Sequence, residues 1–469
     1  MRRGRLYLIL IVLVVAALGC GRDESPPTAP EEDKVNVAPE IVAWLKGNAV
    51  PFATPIAGHG FDDLEPLRDI IGDARIVALG EATHGTRQFF LMKHRLLEFL
   101  VKEMGFTSFA IEATWPESNL VNDYIQTGDG DPAALLAGLY FWTWNTQEVL
   151  DMILWMRENG VSFHGFDMQY PRMAMENVEA YVAEVDPANA PVYELLFDNF
   201  RPWLDALGSY QNVPPATQNI IRDQLQQVYD MMDQRQATYE VRSSAKDFAY
   251  ALQSARIVQQ GERFYAAREP SYITRDTYMA ENASWIIEQK GPGAKIVLWA
   301  HNYHVGVDPI SSRTMGSHLR QQYQDDMVVL AFSFFKGSFN ARDYDYWQGV
   351  GELKSHSVKL PPEDSYSYHF RGADMPRMIL DLRGVDFDST ATDWIPGPRR
   401  FRSIGALYDD SNPGAYFYNA RLPEEFDVII YFENTTPSVL LPFPARTGAP
   451  VAADVNKRLY YEGIFGECR

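Results

Sequence analysis

The stretch RIVALGEATHGT, residues 75–86, decides the predicted fold. It starts with a run of apolar and β-branched residues, 75–79, and such an uninterrupted run is typical of a strand buried on both faces of a sheet. Two glycines then bracket Glu81 and His84, which indicates a loop directly after the strand. The stretch therefore predicts a buried strand that ends in a carboxylate and an imidazole.

Similar apolar runs recur along the chain, at 108–111, 161–166, 295–299, 327–332 and 428–432. Segments with helical spacing lie between several of them, such as 88–104, whose apolar residues form one stripe. Strands that alternate with helices predict an α/β fold with a central, mostly parallel sheet flanked by helices.

Strand-like runs are absent from 171–290, where long helical stretches such as 216–234 and 243–265 occur instead. We therefore expect a largely helical insertion at 171–290, between two parts, 40–170 and 291–469, of one α/β catalytic domain. The sequence leaves open whether the insertion caps the active edge of the sheet or packs against one face.

Polar residues follow four of the predicted strands directly: Glu81, His84, Glu112, Asp167, His301 and His304. Because ligands of open α/β sheets bind at the carboxyl ends of the strands, we expect these side chains to converge. Packing explains such a set poorly, since buried charges cost several kcal/mol unless they are paired. The set therefore predicts a functional site.

A histidine with an ordinary pKa accepts a proton from water near neutral pH, and an adjacent carboxylate fixes its tautomer and stabilises the imidazolium. This chemistry makes water the nucleophile. The chain has no Gly-x-Ser-x-Gly elbow, Walker phosphate loop, Gly-x-Gly-x-x-Gly fingerprint or His-Glu-x-x-His helix. These absences argue against a serine hydrolase, a nucleotide enzyme and a zincin.

The sequence of 80–86, followed by two phenylalanines and Lys93, resembles the signature of the erythromycin esterase family, and 299–305 resembles its second signature. Shorter similarities follow in order at 111–112, 141–148, 165–169, 275–276, 279–282, 315–316 and 426–437. The resemblance spans the chain from about Ile41 onward.

This resemblance implies hydrolysis of a macrolide lactone or a related small-molecule ester by histidine-activated water, without a covalent acyl-enzyme. His84 matches the general base, and Glu81 and Glu112 match acidic residues that orient the base and the water. His301 and His304 match paired histidines opposite them, one of which stabilises the oxyanion or protonates the leaving alkoxide. The matching segments also suggest substrate-binding positions, which are Lys93, Asp167, Trp142, Trp144 and Asn302.

Two other functions are compatible with the sequence. The Glu81-x-x-His84 spacing also occurs in helical metal sites, so a metal-dependent hydrolase that uses the same Glu/His cluster is an alternative, although we expect a loop here and no cofactor. A non-catalytic surface lipoprotein that binds haem or another apolar ligand is the second, suggested by the 10 Trp and 25 Tyr residues.

The N-terminus predicts export. Three arginines precede the apolar run 6–18, which closes on Gly19-Cys20 in the manner of a bacterial lipoprotein processing site. We expect residues 1–19 to be a signal peptide, Cys20 to carry lipid, and 20–39 to be a disordered tether. The protein would then be attached to a membrane surface in the cell envelope.

Charge argues against nucleic acid as a partner. The formal net charge is -20 at pH 7, and no basic run occurs after the extreme N-terminus. Phosphate binding needs a basic surface.

Overall fold

A computed structural model describes residues 34–267 and 271–442. The predicted signal peptide, Cys20, tether residues 20–33 and the final segment 443–469 lie outside the described residues. In the part of the chain that is described, no helix is both long enough and apolar enough to cross a membrane.

Twelve strands occur among the described residues. They are β1 Val50–Pro51, β2 Ile76–Leu79, β3 Ser108–Thr114, β4 Ser162–Asp167, β5 Ile296–Trp299, β6 Met327–Asp345, β7 Gly349–Val358, β8 Arg377–Asp381, β9 Arg399–Arg402, β10 Leu407–Tyr408, β11 Phe417–Ala420 and β12 Val428–Thr435.

The same ranges contain sixteen α-helices. They are α1 Pro39–Asn48, α2 Pro66–Ile71, α3 Arg87–Met104, α4 Trp115–Thr127, α5 Pro132–Ala137, α6 Gln147–Asn159, α7 Arg172–Val185, α8 Ala190–Phe197, α9 Pro215–Asp233, α10 Gln236–Arg242, α11 Ala245–Ala266, α12 Ser271–Lys290, α13 Asn302–Val305, α14 Met315–Tyr323, α15 Tyr366–Arg371 and α16 Leu422–Glu425.

The central sheet has the order β1-β8-β12-β6-β2-β5-β3-β4, with β7 and β10 both pairing with β6. Strands β12, β6, β2, β5, β3 and β4 run parallel to one another. Strands β8 and β1 are antiparallel additions at one edge, and β7 forms an antiparallel hairpin with β6. The predicted α/β fold with a mostly parallel sheet is thus confirmed, and all six predicted runs are strands in it.

Alternate residues of the sheet enter two separate cores. Ile76 and Ala78 of β2 belong to a core on one face, together with apolar residues of α7–α12, whereas Val77 and Leu79 belong to the core that includes α3. Burial on both faces explains why β2 shows no polar alternation. The helical insertion therefore packs against one face of the sheet.

Candidate active site

The parallel strands bring the predicted residues to one edge of the sheet. Glu81 follows β2, Glu112 lies near the end of β3, Asp167 ends β4, and His301 follows β5. These four strands are neighbours in the sheet. All of these residues are buried, together with His84 and His304 in the adjoining loops.

Glu81 and His84 form an acid–imidazole dyad. The Oε1 atom of Glu81 lies 2.7 Å from Nδ1 of His84. The segment between them is a loop, as the flanking glycines predicted. Position 85 requires glycine for a steric reason. A Cβ atom there would lie 2.0 Å from the carbonyl oxygen of Asn340 on β6. The dyad is therefore held on the sheet by close backbone packing.

Two buried donors bind the second oxygen of Glu81. Lys93 on α3 donates to Oε2 over 2.6 Å, and the indole N–H of Trp299 donates over 2.8 Å. Lys93 is fully buried, with its ammonium 4.1 Å from the centre of the Trp299 ring. Burial lowers the pKa of Lys93 to about 8, although the Glu81 carboxylate opposes that shift. Lys93 is thus a buried counter-ion of Glu81 and has no contact with solvent.

The ring of His84 is fixed by aromatic neighbours and exposes one nitrogen. It contacts Trp144 edge-on at 5.9 Å and the His301 ring at 5.1 Å between centroids. Trp144 is itself anchored, because its indole N–H donates to the backbone carbonyl of Glu112. No described residue hydrogen-bonds to Nε2 of His84, and 11% of the side chain is exposed. Nε2 is therefore the imidazole atom that a water molecule can reach.

His301 uses both ring nitrogens for backbone contacts. Its Nδ1 accepts from the N–H of Tyr303, and its Nε2 donates to the carbonyl of Ile404 over 3.2 Å. Burial holds the pKa of His301 well below its usual value, and the nearby imidazoles of His84 and His304 act in the same direction. His301 is accordingly neutral and positions the loop around the dyad.

Arg275 joins two of the strand-end carboxylates. Its Nη2 atom lies 2.6 Å from Glu112 and 2.8 Å from Asp167. The other oxygen of Glu112 accepts from the backbone N–H of His301. Burial alone would raise the pKa of Glu112, but the charges of His304 and Arg275 hold it well below its ordinary value. Glu112 is therefore ionised throughout the neutral range.

His304 forms a second acid–imidazole pair. Its Nδ1 lies 2.6 Å from Asp276 of α12, whose other oxygen accepts from the N–H of Met315. Its Nε2 faces Arg275 at 3.0 Å and Glu112 at 3.5 Å. Burial lowers the pKa of His304, but Asp276 and Glu112 together raise it above the usual value.

Negative charge exceeds fixed positive charge in this cluster. Its four carboxyl groups are Glu81, Glu112, Asp167 and Asp276, and its basic side chains other than histidine are Lys93 and Arg275. Such an excess stabilises protonated imidazole in a buried site.

Three of the predicted substrate-binding residues use their polar groups to bond other residues of the protein. Both amide atoms of Asn302 bond the backbone of Phe332, and Asp167 binds Arg275 and Gln169. Lys93 is enclosed beside Glu81. Trp144 packs on His84, as described above. Trp142 is 4% exposed, and its buried indole N–H has no partner among the described residues.

Arg275 and Asp276 were not among the predicted site residues. They lie on α12, inside the segment predicted as a helical insertion, and their pairing with strand-end residues depends on how that helix crosses the sheet edge. The only signal in the sequence was the short similarity at 275–276. The insertion therefore supplies two side chains of the cluster.

A further buried carboxyl, Glu117, lies in the first turn of α4. It is 2% exposed, and the Thr114 and Tyr140 hydroxyls are polar neighbours of its carboxyl group. Burial raises its pKa to about 8, from 4.5, against the smaller opposing effects of Thr114 and Tyr140. The folded protein consequently holds Glu117 in its uncharged form at neutral pH.

Glu117→Gln is expected to stabilise the protein increasingly as pH rises from about 4.5 to about 8. The raised pKa stabilises the fold fully below pH 4.5. This stabilisation is lost as the pH rises toward about 8, because only the unfolded chain ionises Glu117 in that range. The glutamine variant lacks this loss, so its advantage in unfolding free energy should grow by on the order of 4 kcal/mol. Urea unfolding at pH 4.5 and at about pH 8 measures this difference in unfolding free energy. The control is Glu184→Gln, which replaces an exposed glutamate. An advantage that does not change with pH would contradict the burial argument.

The chain is similar in sequence to known proteins over most of its length. The family model described as erythromycin esterase matches residues 101–435. Erythromycin esterase type II from Escherichia coli is 25% identical over 432 residues, which cover 84% of this chain and 98% of that protein.

Solved structures are also similar to this chain. A protein from Bacillus cereus superposes with a TM-score of 0.77 at 25% identity, covering 86% of this chain and 99% of that one. A mutant of the erythromycin esterase EreC in its open conformation superposes with a TM-score of 0.64 at 18% identity, covering 82% and 96%, which supports the shared fold. Together with the family match over most of the sequence, these findings show that the chain belongs to the erythromycin esterase family.

Proposed function

We propose that this protein opens macrolide lactones or related carboxylic esters with a water molecule activated by His84, without a covalent intermediate. Family membership supports the coarser statement that the chain is a hydrolase acting on esters. The observation that carries the finer proposal is the Glu81–His84 dyad, in which Nδ1 is bound by a carboxylate and Nε2 faces the open side of the site.

In the proposed reaction, Nε2 of His84 takes a proton from water while the water oxygen attacks the ester carbonyl carbon. Glu81 accepts the Nδ1 proton in a hydrogen bond and stabilises the imidazolium. The tetrahedral intermediate collapses by breaking the carbon–oxygen bond to the alkoxide, which takes the proton from His84. The products are a carboxylic acid and an alcohol, which are joined in one chain when the substrate is a lactone.

Glu112 and its cationic neighbours complete the proposed mechanism. Each ionised carboxylate oxygen has two lone pairs, so Glu112 still accepts a bond from the attacking water. The positive charges of Arg275 and His304, which lie beside Glu112, are suited to stabilise the developing oxyanion. No serine or cysteine is needed in this scheme.

The experiment is hydrolysis of macrocyclic lactones and simple esters in ¹⁸O-labelled water, with rapid quenching and mass analysis of product and intact protein. The expected result is one ¹⁸O atom in each product acid and no acyl adduct or ¹⁸O on the protein. A trapped acyl-enzyme would contradict the direct attack by water, and ester turnover without it would support the mechanism.

Hydrolysis is also expected to continue at an unchanged rate after treatment with a metal chelator. The potential ligand atoms of Glu81, His301 and His304 already bind protein donors or acceptors, which leaves Nε2 of His84 as the accessible one. A single imidazole is a poor metal site. Loss of activity with chelator, reversed by added zinc, would instead support the metal-dependent alternative.

The proposed location is the cell envelope, with the mature chain anchored by lipid on Cys20. This proposal rests on residues 1–20 of the sequence alone. Mass analysis of the membrane fraction for a lipidated N-terminal cysteine tests it.

A further inference from the structure

Helix α12 lines an open cavity with a different face from the one that carries Arg275 and Asp276. The cavity has a volume of about 640 Å³, within the range of small-molecule sites, and lies between α9, α11, α12 and α14. None of the residues of the strand-end cluster lines it. Its α12 residues recur at helical spacing along one stripe, which consists of Thr277, Ala280, Glu281, Ser284, Trp285 and Glu288. The cavity is therefore separate from the candidate active site.

A hydrogen-bonded row of side chains forms one wall of the cavity. Gln253 donates to Asn282 and Asn282 donates to Gln260, both over 2.9 Å. Gln260 and Arg256 then donate to Oε2 of Glu281, over 3.1 Å and 2.7 Å. Because the three amides of this row are buried, their positions are fixed before a ligand arrives. The wall is a preorganised polar surface.

Other polar groups at the cavity have no protein partner. Within residues 34–267 and 271–442, nothing hydrogen-bonds to the hydroxyl of Tyr229, the indole N–H of Trp285 or the amide of Gln321. Glu288 likewise forms no ion pair with a described residue. Gln253 is only 6% exposed, yet its amide oxygen accepts no hydrogen bond from the described part of the chain. These donors and acceptors are free to bind a ligand in the cavity.

Two aromatic side chains add apolar surface to the lining. Trp285 is half-buried and is held by Trp115 and Tyr250, at 5.6 Å and 5.4 Å between ring centroids. Tyr229 on α9 is also half-buried. A ring that is already fixed by its neighbours loses little side-chain entropy when a ligand packs on it. Trp285 is therefore suited to be the contact surface of the site.

The lining favours a neutral ligand rich in hydroxyl groups. Arg256 and Glu281 compensate each other, and Glu288 adds a negative charge that disfavours anions. An apolar ligand would remove the open amide and hydroxyl groups from water without replacing their hydrogen bonds. A sugar hydroxyl both donates and accepts, which matches amide and hydroxyl side chains, and the C–H face of a sugar ring packs on an indole. A carbohydrate satisfies both parts of the lining.

We propose that the cavity between α9, α11, α12 and α14 binds a neutral oligosaccharide. One sugar ring packs on Trp285, and its hydroxyls bond Tyr229, Gln253 and Glu288. Binding makes and breaks no covalent bond and does not depend on the proposed ester hydrolysis. Two faces of α12 then serve two different ligands.

The test is calorimetric titration of the full-length protein with three neutral tetrasaccharides, maltotetraose, cellotetraose and laminaritetraose. At least one of them is expected to bind with a Kd of about 1 mM or tighter. The anionic tetragalacturonate should bind at least about fivefold more weakly than that sugar, because Glu281 and Glu288 repel it. Failure of all three neutral sugars to bind, or tighter binding of the tetragalacturonate, would overturn the proposal.

Two variants locate the bound sugar. Trp285→Leu is expected to weaken binding at least about tenfold, since it removes the aromatic surface. Tyr229→Phe removes only an open hydroxyl, so the protein should fold normally and bind about two- to tenfold more weakly. The exposed Trp347 and Tyr346 supply matched controls, and Trp347→Leu and Tyr346→Phe should keep the wild-type affinity. A Tyr229→Phe protein with wild-type affinity would contradict the assignment, even if Trp285→Leu does not fold.

Ester turnover separates this site from the candidate active site. A saturating tetrasaccharide and the Tyr229→Phe substitution should both leave kcat/KM for ester hydrolysis unchanged, because the cavity lies outside the strand-end cluster. Competitive inhibition by the sugar would place it in the active site and overturn the inference. Sugar binding by a protein that hydrolyses none of the tested esters would support this site and count against the proposed hydrolase instead.

Discussion

Replacing His84 with alanine is expected to lower kcat/KM for ester hydrolysis by about 10² to 10⁴, the range that a general base contributes. The imidazole is the proton acceptor of the proposed reaction, and the neighbouring histidines cannot replace it because their ring nitrogens already bind protein groups. Folding should survive, since His84 lies in a loop at the sheet edge and outside both cores.

The measurement compares steady-state rates of purified wild type and His84→Ala, with circular dichroism as the check on folding. The exposed histidine His59 provides a control, and His59→Ala should retain full activity. A folded His84→Ala protein with normal turnover would remove the proposed mechanism.

Replacing Arg275 with methionine is expected to cost about 3–5 kcal/mol of stability and to abolish measurable turnover. The guanidinium lies between Glu112 and Asp167, and side-chain exposure is 14% for Arg275, 6% for Glu112 and none for Asp167. Removing it leaves two buried carboxylates facing each other, with the His304 imidazole as the one cationic group still beside Glu112. The pKa of Glu112 should then rise, so Glu112 would lose part of its negative charge near His84.

Urea unfolding and ester turnover at pH 7 measure both effects. Arg256→Met is the matched control. Arg256 pairs with Glu281, a more exposed carboxylate on α12, the helix that also carries Arg275. This substitution should therefore cost less than about 1 kcal/mol. Arg275→Lys is expected to be intermediate, since one ammonium cannot reproduce the fixed fork of a guanidinium. An Arg275→Met protein of wild-type stability would show that the cluster does not depend on this charge.

The strand-end residues could be predicted because two simple patterns coincide. Runs such as 75–79 have apolar residues on both faces, and their polar successors, Glu81, Glu112 and His301, follow without a spacer. Parallel pairing of β2, β3 and β5 then places these residues at one edge. Neither step requires knowledge of the loops.

The partners of these residues could not be predicted, because they come from distant segments. His301 donates to Ile404, which is more than a hundred residues away, and Asn302 is held by Phe332. Arg275 lies in mid-helix, where periodicity does not indicate which strand edge a side chain reaches. Sequence patterns therefore identified the sheet edge where these side chains meet, but not the hydrogen bonds that each of them makes.

The antiparallel parts of the sheet were also missing from the prediction. The run 327–332 is only the start of β6, which continues to Asp345 and pairs with β7. Partial exposure of β7 gives it a polar sequence, so it lacks the apolar signature of a buried strand.

The tautomer of His84 decides whether this imidazole can act as the base. Nitrogen NMR of histidine-labelled protein, with His84 assigned by comparison with His84→Ala, shows which ring nitrogen carries the proton in the uncharged imidazole. Base catalysis by His84 requires that proton on Nδ1, held by Glu81, with Nε2 unprotonated. A proton on Nε2 would leave no atom to accept one from water and would contradict the proposed mechanism.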